Sequence, residues 1–449
     1  MMRRFVTTAL FLALVLAAKG QVAQSTQHSA VMDSLTQNVV SRLLPSGNQL
    51  LTPLPYYDCI DYRKAELQFP AGRKSQDRFN EKLDSLLLFG NRSVSMWHVG
   101  GSHVQADFFS HRMRTNFSSM QPGMVSTRGF LFPYDVARTN WNHNYYISYT
   151  GDWKAQRNVD PAAAISFGAT GIGAVTAGPT ASLTLSLNVG MTPSWTMDRL
   201  RVMGYPSSEE VDIYAVVGRD SLLGIAGDTL RARPDKATGS RLIELPANSD
   251  SVTIRFALPP GQTFTLTGLV PECDEAGIRY FSSGINGAAV PSWLRCGDLG
   301  RDLLLVCPDI VFFAIGVNDA AVPWGNFDVE AFKEGYRRLI RIVQTVSPDC
   351  AFVFITNNDT YRRESRRVKR ANRNGLLVRD AMFDLAREQG AAVWDVFGFM
   401  GGLDSCPRWR DAGLMAADLV HFTRTGYELL GNLLYNAIIR DYLRPQNEE

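Results

Sequence analysis

The 449 residues carry a formal net charge of +2 and are 45% hydrophobic, enough apolar side chain for a large core and two or three domains. A balance so close to neutral gives no bulk electrostatic case for nucleic acid. Six cysteines (Cys59, Cys273, Cys296, Cys307, Cys350 and Cys406) lie without C-x-x-C or Cys…His spacing, which argues against a zinc site.

The chain opens on Met1-Met2-Arg3-Arg4, an apolar run from Phe5 to Ala18 and the small-residue site Ala18-Lys19-Gly20. This pattern predicts a secretory signal peptide over residues 1–20, with export to the periplasm or beyond. Its apolar run is short for a membrane span, no later segment offers a longer one, and no cysteine follows the cleavage region, so neither stable membrane insertion nor a lipid anchor is expected. Residues 21–74 read as a polar extension with little functional information.

Phe79, Leu83, Leu86 and Leu87 then recur at helical spacing. Ser93 to Val99 alternates like a strand and runs directly into Gly100-Gly101-Ser102, with a helical stretch from His103 to Phe117 behind it. A strand that stops at glycines and turns into a helix places Ser102 at the carboxyl edge of a sheet, beside free helix N–H groups. On the entering strand His98 fits a core histidine, whereas His103, Gln105 and Asp107 fit structural or loop-bracing roles, with substrate contact as the alternative.

Character changes near Thr150. Short alternating runs, Leu183 to Val189, Val211 to Val217, Val252 to Leu258 and Phe264/Leu266, predict an antiparallel β-sandwich inserted over residues 150–270. The flanking segments, 75–149 and 271–449, then form one α/β domain. Within the second of these, Asp309 to Ile315 is an apolar run suited to a strand buried on both faces. A helix with Phe332, Tyr336, Leu339, Val343 and Val346 on one stripe follows, then a strand from Ala351 to Ile355, a helix to Gly390, a strand from Ala391 to Val396, and a last helix opening at Thr425-Gly426-Tyr427-Glu428. The basic run Arg362, Arg363, Arg366, Arg367, Lys369, Arg370 and Arg373 reads as a solvated helix face, with a rim attracting an anionic polymer as the sharper alternative. Cys307 and Cys350 fit buried small hydrophobes.

Four separated pieces carry the chemistry: Gly100-Gly101-Ser102-His103, Gly284-Ile285-Asn286-Gly287, Gly316-Val317-Asn318-Asp319 and Asp418-Leu419-Val420-His421. A serine hydroxyl needs a base, and histidine titrates in the useful range. Asp418, three positions before His421, can fold back onto its ring, although Asp395 at a strand end competes for that role. The Ser102 N–H, the Gly287 N–H and the Asn318 amide can serve as oxyanion donors. Asp319 fits a structural role better than a catalytic one.

In these four pieces the chain resembles the SGNH (GDSL-like) hydrolases, with Ser102, Gly287, Asn318 and His421 in the four name-giving blocks and Asp418 as the triad acid. The resemblance implies a doubly wound, flavodoxin-like parallel sheet, and a mechanism without metal or other cofactor. It departs in one place, since Gly101 stands where the family has Asp. The sandwich insertion, the histidine after Ser102, Arg128-Gly129-Phe130 and Pro133-Tyr134 look like the bacterial peptidoglycan O-acetylesterase group. That likeness implies an acetylated glycan as substrate, with Trp141, Trp153 or Trp195 fitting either sugar stacking or a core position. A glycan O-acetyltransferase using the same acyl-enzyme and a catalytically silent glycan-binding protein are the alternatives.

Overall fold

The central sheet is assembled from seven stretches: β1 (Leu67–Gln68), β2 (Val94–Gly100), β3 (Val125–Thr127), β4 (Gly277–Gly284), β5 (Ile310–Ala314), β6 (Ala351–Ile355) and β7 (Ala392–Trp394), in the order β1-β7-β6-β5-β2-β4-β3. All neighbours run parallel except β1, which joins β7 antiparallel at the edge. Every residue of β2 and β6 is buried, as strands covered by helices on both faces require. The computed structural model describes residues 50–140, 142, 144–189, 195–218, 227–364 and 368–444. The expected signal peptide lies outside the described residues, whereas β1 shows that residues assigned to the polar extension contribute to the sheet.

Helix α1 (Lys74–Phe89) buries the expected Phe79, Leu83, Leu86 and Leu87 and ends at Gly90 with φ 58°, a left-handed cap suited to glycine. Short α2 (Ser102–Gln105) and α3 (Phe108–Ser118) follow β2. Between β4 and β5 come α4 (Val290–Leu294) and α5 (Leu299–Val306); α6 (Val329–Val346) and α7 (Asn374–Gln389) flank β6, and α8 (Arg424–Tyr442) closes the domain. The Asp328 carboxylate caps α6 by accepting from the Ala331 N–H at 2.9 Å. The last helix starts slightly earlier than its capping pattern suggested, because Thr423 is the residue whose hydroxyl accepts from the Gly426 N–H. It does bury Leu429, Leu433 and Ala437.

Between β3 and β4 the chain builds two antiparallel sheets. One orders Asp228–Arg231, Asp212–Val217, Ser251–Ala257, Ser182–Ser186 and Tyr146–Thr150; the other orders Arg233–Pro234, Arg241–Ser249, Met197–Pro206, Phe264–Glu272, Ile172–Thr176 and Trp153–Arg157. Alternate residues such as Leu183, Leu185, Val252, Ile254 and Phe256 bury one face of the first, and Leu200, Val202, Phe264 and Leu266 are buried in the second, the pattern of an inserted β-rich domain.

The insertion is tied to the α/β domain by polar groups as well as apolar ones. The Asp302 carboxylate on α5 accepts from the Ala169 N–H at 2.8 Å. A Cβ on Gly168 would fall 1.6 Å from Asp302 Oδ2, so only glycine fits beneath it. Burial raises Asp302 to about 7, the Ala169 N–H and Arg301 offsetting it only in part. A carboxyl raised in the folded state contributes stability below its unfolded value, about 4, and loses that contribution as pH rises through the folded value. Asp302→Asn is therefore expected to flatten the fall in Tm between about pH 4 and pH 8. Parallel Tm profiles for the two proteins in calorimetry would remove Asp302 as the titrating group.

Three expectations are corrected here. The basic run does not lie on a helix: Tyr361–Arg363 and Lys369–Ala371 form an antiparallel hairpin, with Arg366 and Arg367 outside the described residues. Cys307 is exposed at the left-handed end of α5, with φ 41°, although Cys350 is buried and all six cysteines are free. Trp195 is 1% exposed, packed against His111 and Arg128, and is unavailable for sugar stacking; Trp153 is half-buried against Phe256, and Trp141 lies outside the described residues.

Candidate active site

The site begins in strand register. Gly100 at the end of β2 pairs with Gly284 of β4 on one side and Ala314 of β5 on the other. The segments carrying Ser102, Gly287 and Asn318 therefore leave the same edge of the sheet side by side, and the strand order diverges on either side of β2 there. Glycine is needed at this edge for closeness. A Cβ on Gly284 would lie 2.2 Å from the Gln105 N, and one on Gly100 would lie 2.5 Å from Val104 Cγ2. Bare backbone lets α2 rest directly on the strand ends.

Ser102 is the first residue of α2, and its Oγ lies 2.8 Å from His421 Nε2. His421 Nδ1 is 2.7 Å from Asp418 Oδ2. Asp418 Oδ1 accepts from the Val420 and His421 N–H groups at 2.9 and 3.0 Å, and Leu419 between them adopts φ 61°. This tight turn folds the carboxylate back onto the ring three residues later. Burial works against the ionised Asp418, but the His421 ring and the two N–H donors outweigh it and lower its pKa. The carboxylate thus stays charged across the range in which a histidine exchanges its proton. The rival carboxylate is engaged elsewhere: Asp395 accepts from Arg379 Nε and Nη2, from Thr356 Oγ1 and from the Gly398 N–H.

Gly287 turns at φ 85°, in the left-handed region, with open space around its Cα. Among the described residues neither its N–H nor that of Ser102 donates to another group. Asn318 Nδ2 donates one hydrogen to the Ala288 carbonyl at 2.9 Å, which aims the amide and leaves its second hydrogen free of that bond. The structure thus gathers all five expected residues, Ser102, His421, Asp418, Gly287 and Asn318, at one sheet edge. Asp319 does not face them; it accepts from the Val290 N–H at the start of α4, and burial raises it to about 6.

Gly101 has a local explanation. A Cβ there would sit 2.9 Å from Asn318 Nδ2 and 3.4 Å from the Ala288 carbonyl, so a side chain would displace the Asn318 amide. Loop support comes instead from buried Gln105, whose Oε1 accepts from the Asn286 N–H at 2.6 Å while its Nε2 donates to Thr139 Oγ1 and the Asn140 carbonyl. With Asn318 as oxyanion donor, Gly101→Asp is expected to lower kcat about tenfold or more. An unchanged kcat on p-nitrophenyl acetate would show that the loop absorbs the side chain.

The other nearby polar residues brace the fold. Buried Asp107 binds Arg114, Arg128 and Asn144; burial alone would raise its carboxyl, but the two guanidiniums hold it well below the usual carboxylate range. Arg128, read from sequence as part of a family-like stretch, is fully buried in this network. His98 hydrogen-bonds Tyr280 through Nδ1, and burial keeps it neutral, with a pKa pushed down to about 3. His103 Nδ1 pairs with the Tyr427 hydroxyl at 2.8 Å, and burial together with nearby His421 likewise lowers it to about 3, so it offers no second base. Sequence reasoning missed the groups that hold the histidine loop: Asn358 Nδ2 donates to the Val420 carbonyl, the Tyr361 N–H to the Leu419 carbonyl and Lys369 Nζ to the Asp418 carbonyl at 3.1 Å. The one available signal was Asn357-Asn358, one residue beyond the end of a buried strand.

This parallel sheet with a serine hydroxyl, an imidazole and a carboxylate at its carboxyl edge places the chain among α/β hydrolytic folds. Residues 250–429 match the model of the GDSL-like lipase/acylhydrolase family, a stretch holding Gly287, Asn318, Asp418 and His421 but starting after Ser102. A solved structure described as a peptidoglycan O-acetylesterase in action superposes with a TM-score of 0.67 at 20% identity, covering 84% of this chain and 99% of that one. An acetyl xylan esterase (TM-score 0.29, 18% identity, 36% of this chain, 82% of that one) and a lipase/acylhydrolase from Enterococcus faecalis (0.28, 23%, 39%, 81%) overlap far less. No curated protein matches the sequence. Over residues 250–429 the chain is similar to the GDSL-like hydrolases, and its fold, insertion included, resembles that of the superposing O-acetylesterase. Among the described residues no helix is long and apolar enough to cross a membrane.

Proposed function

We propose that the protein is an exported serine esterase that removes O-acetyl groups from a glycan, peptidoglycan or another polysaccharide, through an acetyl-Ser102 intermediate. The observation that carries this reading is the Ser102–His421–Asp418 relay, with contacts of 2.8 and 2.7 Å. The name of the superposing O-acetylesterase supports the choice of acyl group and substrate class.

In the first step Ser102 Oγ attacks the acetyl carbonyl carbon while its proton passes to His421 Nε2. Asp418 holds the ring through Nδ1–H and stabilises the imidazolium that forms. The oxygen of the tetrahedral adduct takes up negative charge against the Ser102 N–H, the Gly287 N–H and the Asn318 amide. Collapse breaks the bond to the sugar oxygen, which leaves with the proton from His421. Water then attacks the acetyl-serine by the same route and releases acetate. The His421 and Asp418 side chains are 41% and 49% exposed, so the relay lies open enough for an ester on a polymer to reach it.

The test is an acetate-release screen over acetylated peptidoglycan, acetylated xylan and p-nitrophenyl acetate, with a serine-directed fluorophosphonate as an independent probe. Acetate release together with fluorophosphonate labelling is expected. Failure of both would overturn the reading.

A further inference from the structure

The turn that carries Gly287 is pinned at almost every backbone donor. The Ile285 N–H donates to the Gly100 carbonyl, the Asn286 N–H to Gln105 Oε1 at 2.6 Å, the Ala288 N–H to the Ile285 carbonyl and the Ala289 N–H to Ser292 Oγ at 3.2 Å. The Val290 N–H donates to Asp319, whose two carboxylate oxygens lie 3.0 and 3.3 Å away. Among the described residues, Gly287 alone in the run from Ile285 to Val290 keeps an unengaged N–H. An N–H left open in a run whose other members are held is a preorganised donor, set in place before any charge forms on a substrate.

The holding groups come from both neighbours of the turn. On its N-terminal side acts Gln105, three residues beyond Ser102, through the Asn286 N–H. On its C-terminal side two adjacent residues of the loop after β5 act together, Asn318 on the Ala288 carbonyl at 2.9 Å and Asp319 on the Val290 N–H. Side-chain bonds thus join the nucleophile's helix, the Gly287 turn and the Asn318 loop, in addition to the strand register beneath them. Asp319 has no cationic partner among the described residues, and burial raises it to about 6. An uncharged acceptor would cost the fold less at that position, so the acid suits a role in the reaction better than one in stability.

We infer that Asp319 is a positioning residue for the oxyanion site: by holding the Val290 N–H it fixes the turn that presents the Gly287 N–H to the developing charge. This rests on the esterase reading above and adds to its machinery a residue that touches no substrate.

The test measures kcat and KM on p-nitrophenyl acetate, with rates expressed per site titrated to completion by a fluorophosphonate, so that loss of folded protein does not count as loss of turnover. Methylboronic acid serves as the second probe, since its tetrahedral adduct on Ser102 sets an oxygen against the same donors. Asp319→Ala is expected to lower kcat about tenfold or more, to leave KM within about threefold, and to weaken methylboronic acid by a factor close to the fall in kcat, because only the charged tetrahedral species feels a misplaced donor. Asp319→Glu keeps the charge and an acceptor but lengthens the reach by a methylene; it should lose about threefold or more in kcat, in a variant whose Val290 N–H can stay paired. Asp319→Asn, whose amide oxygen can accept from the Val290 N–H at the original reach, should hold kcat within about twofold of wild type. Wild-type kcat per labelled site in Asp319→Ala or Asp319→Glu, an Asp319→Asn variant no faster than Asp319→Ala, or a fall in kcat with methylboronic acid bound as before would overturn the positioning role while leaving the esterase reading in place. Absence of turnover by the wild-type protein on every acetyl ester would overturn both.

Discussion

Ser102→Ala should lower turnover of acetylated glycan and of p-nitrophenyl acetate by about 10⁴-fold or more, the scale on which serine hydrolases lose rate with their nucleophile. The substitution deletes one oxygen whose partner is His421 Nε2 at 2.8 Å, from a half-buried position at the start of a four-residue helix. Neither a cavity nor a stranded buried donor results, so Tm should stay within a few degrees of wild type. Labelling by a fluorophosphonate should disappear with the activity. A variant that keeps more than about a hundredth of the wild-type rate with an unchanged Tm would exclude Ser102 as the nucleophile.

The second large effect separates two carboxylates. Asp418→Asn is expected to cost about 10³–10⁴ in kcat, because an amide facing Nδ1 favours the wrong ring tautomer and cannot stabilise the imidazolium. Asp395→Asn should instead leave kcat within a few-fold and lower stability by roughly 1–3 kcal/mol, since it takes a charge from a buried carboxylate that serves Arg379 and two further donors. The pH profile adds a check. Because the His421 ring and two backbone N–H groups lower the Asp418 pKa, loss of rate on the acid side of neutrality should not follow Asp418 titration. Loss of turnover in Asp395→Asn with Asp418→Asn unaffected would reverse the assignment.

Much of this arrangement was legible in the sequence because the relevant signals are local. A strand running into Gly100-Gly101, a buried run ending at Gly316 and an Asp three residues before His421 each declare a turn at a strand end. What escaped is set by tertiary contacts. Arginines are good helix formers, so the basic run read as a helix face; the hairpin instead docks against the Leu419 and Asp418 carbonyls, bonds invisible in local pattern. Leu67–Gln68 is too short to show periodicity and is a strand only because β7 offers an edge. For Trp195 the sequence left sugar stacking and a core role both open, and tertiary packing over the Arg128 guanidinium and the His111 ring decides for the core. Gly101 read as a missing group; in space it is a vacancy that the Asn318 amide needs.

The row that joins Gly284, Gly100 and Ala314 across three strands has a further consequence for how such a protein can grow. The relative placement of nucleophile and oxyanion donors is inherited from backbone pairing inside the sheet, where a slip of one residue would move a loop by about 3.3 Å and invert its facing. Length added between β3 and β4 leaves that row untouched. The chain could therefore accept an entire two-sheet module at this point, and exchange one such module for another, without rebuilding the machinery at the sheet edge.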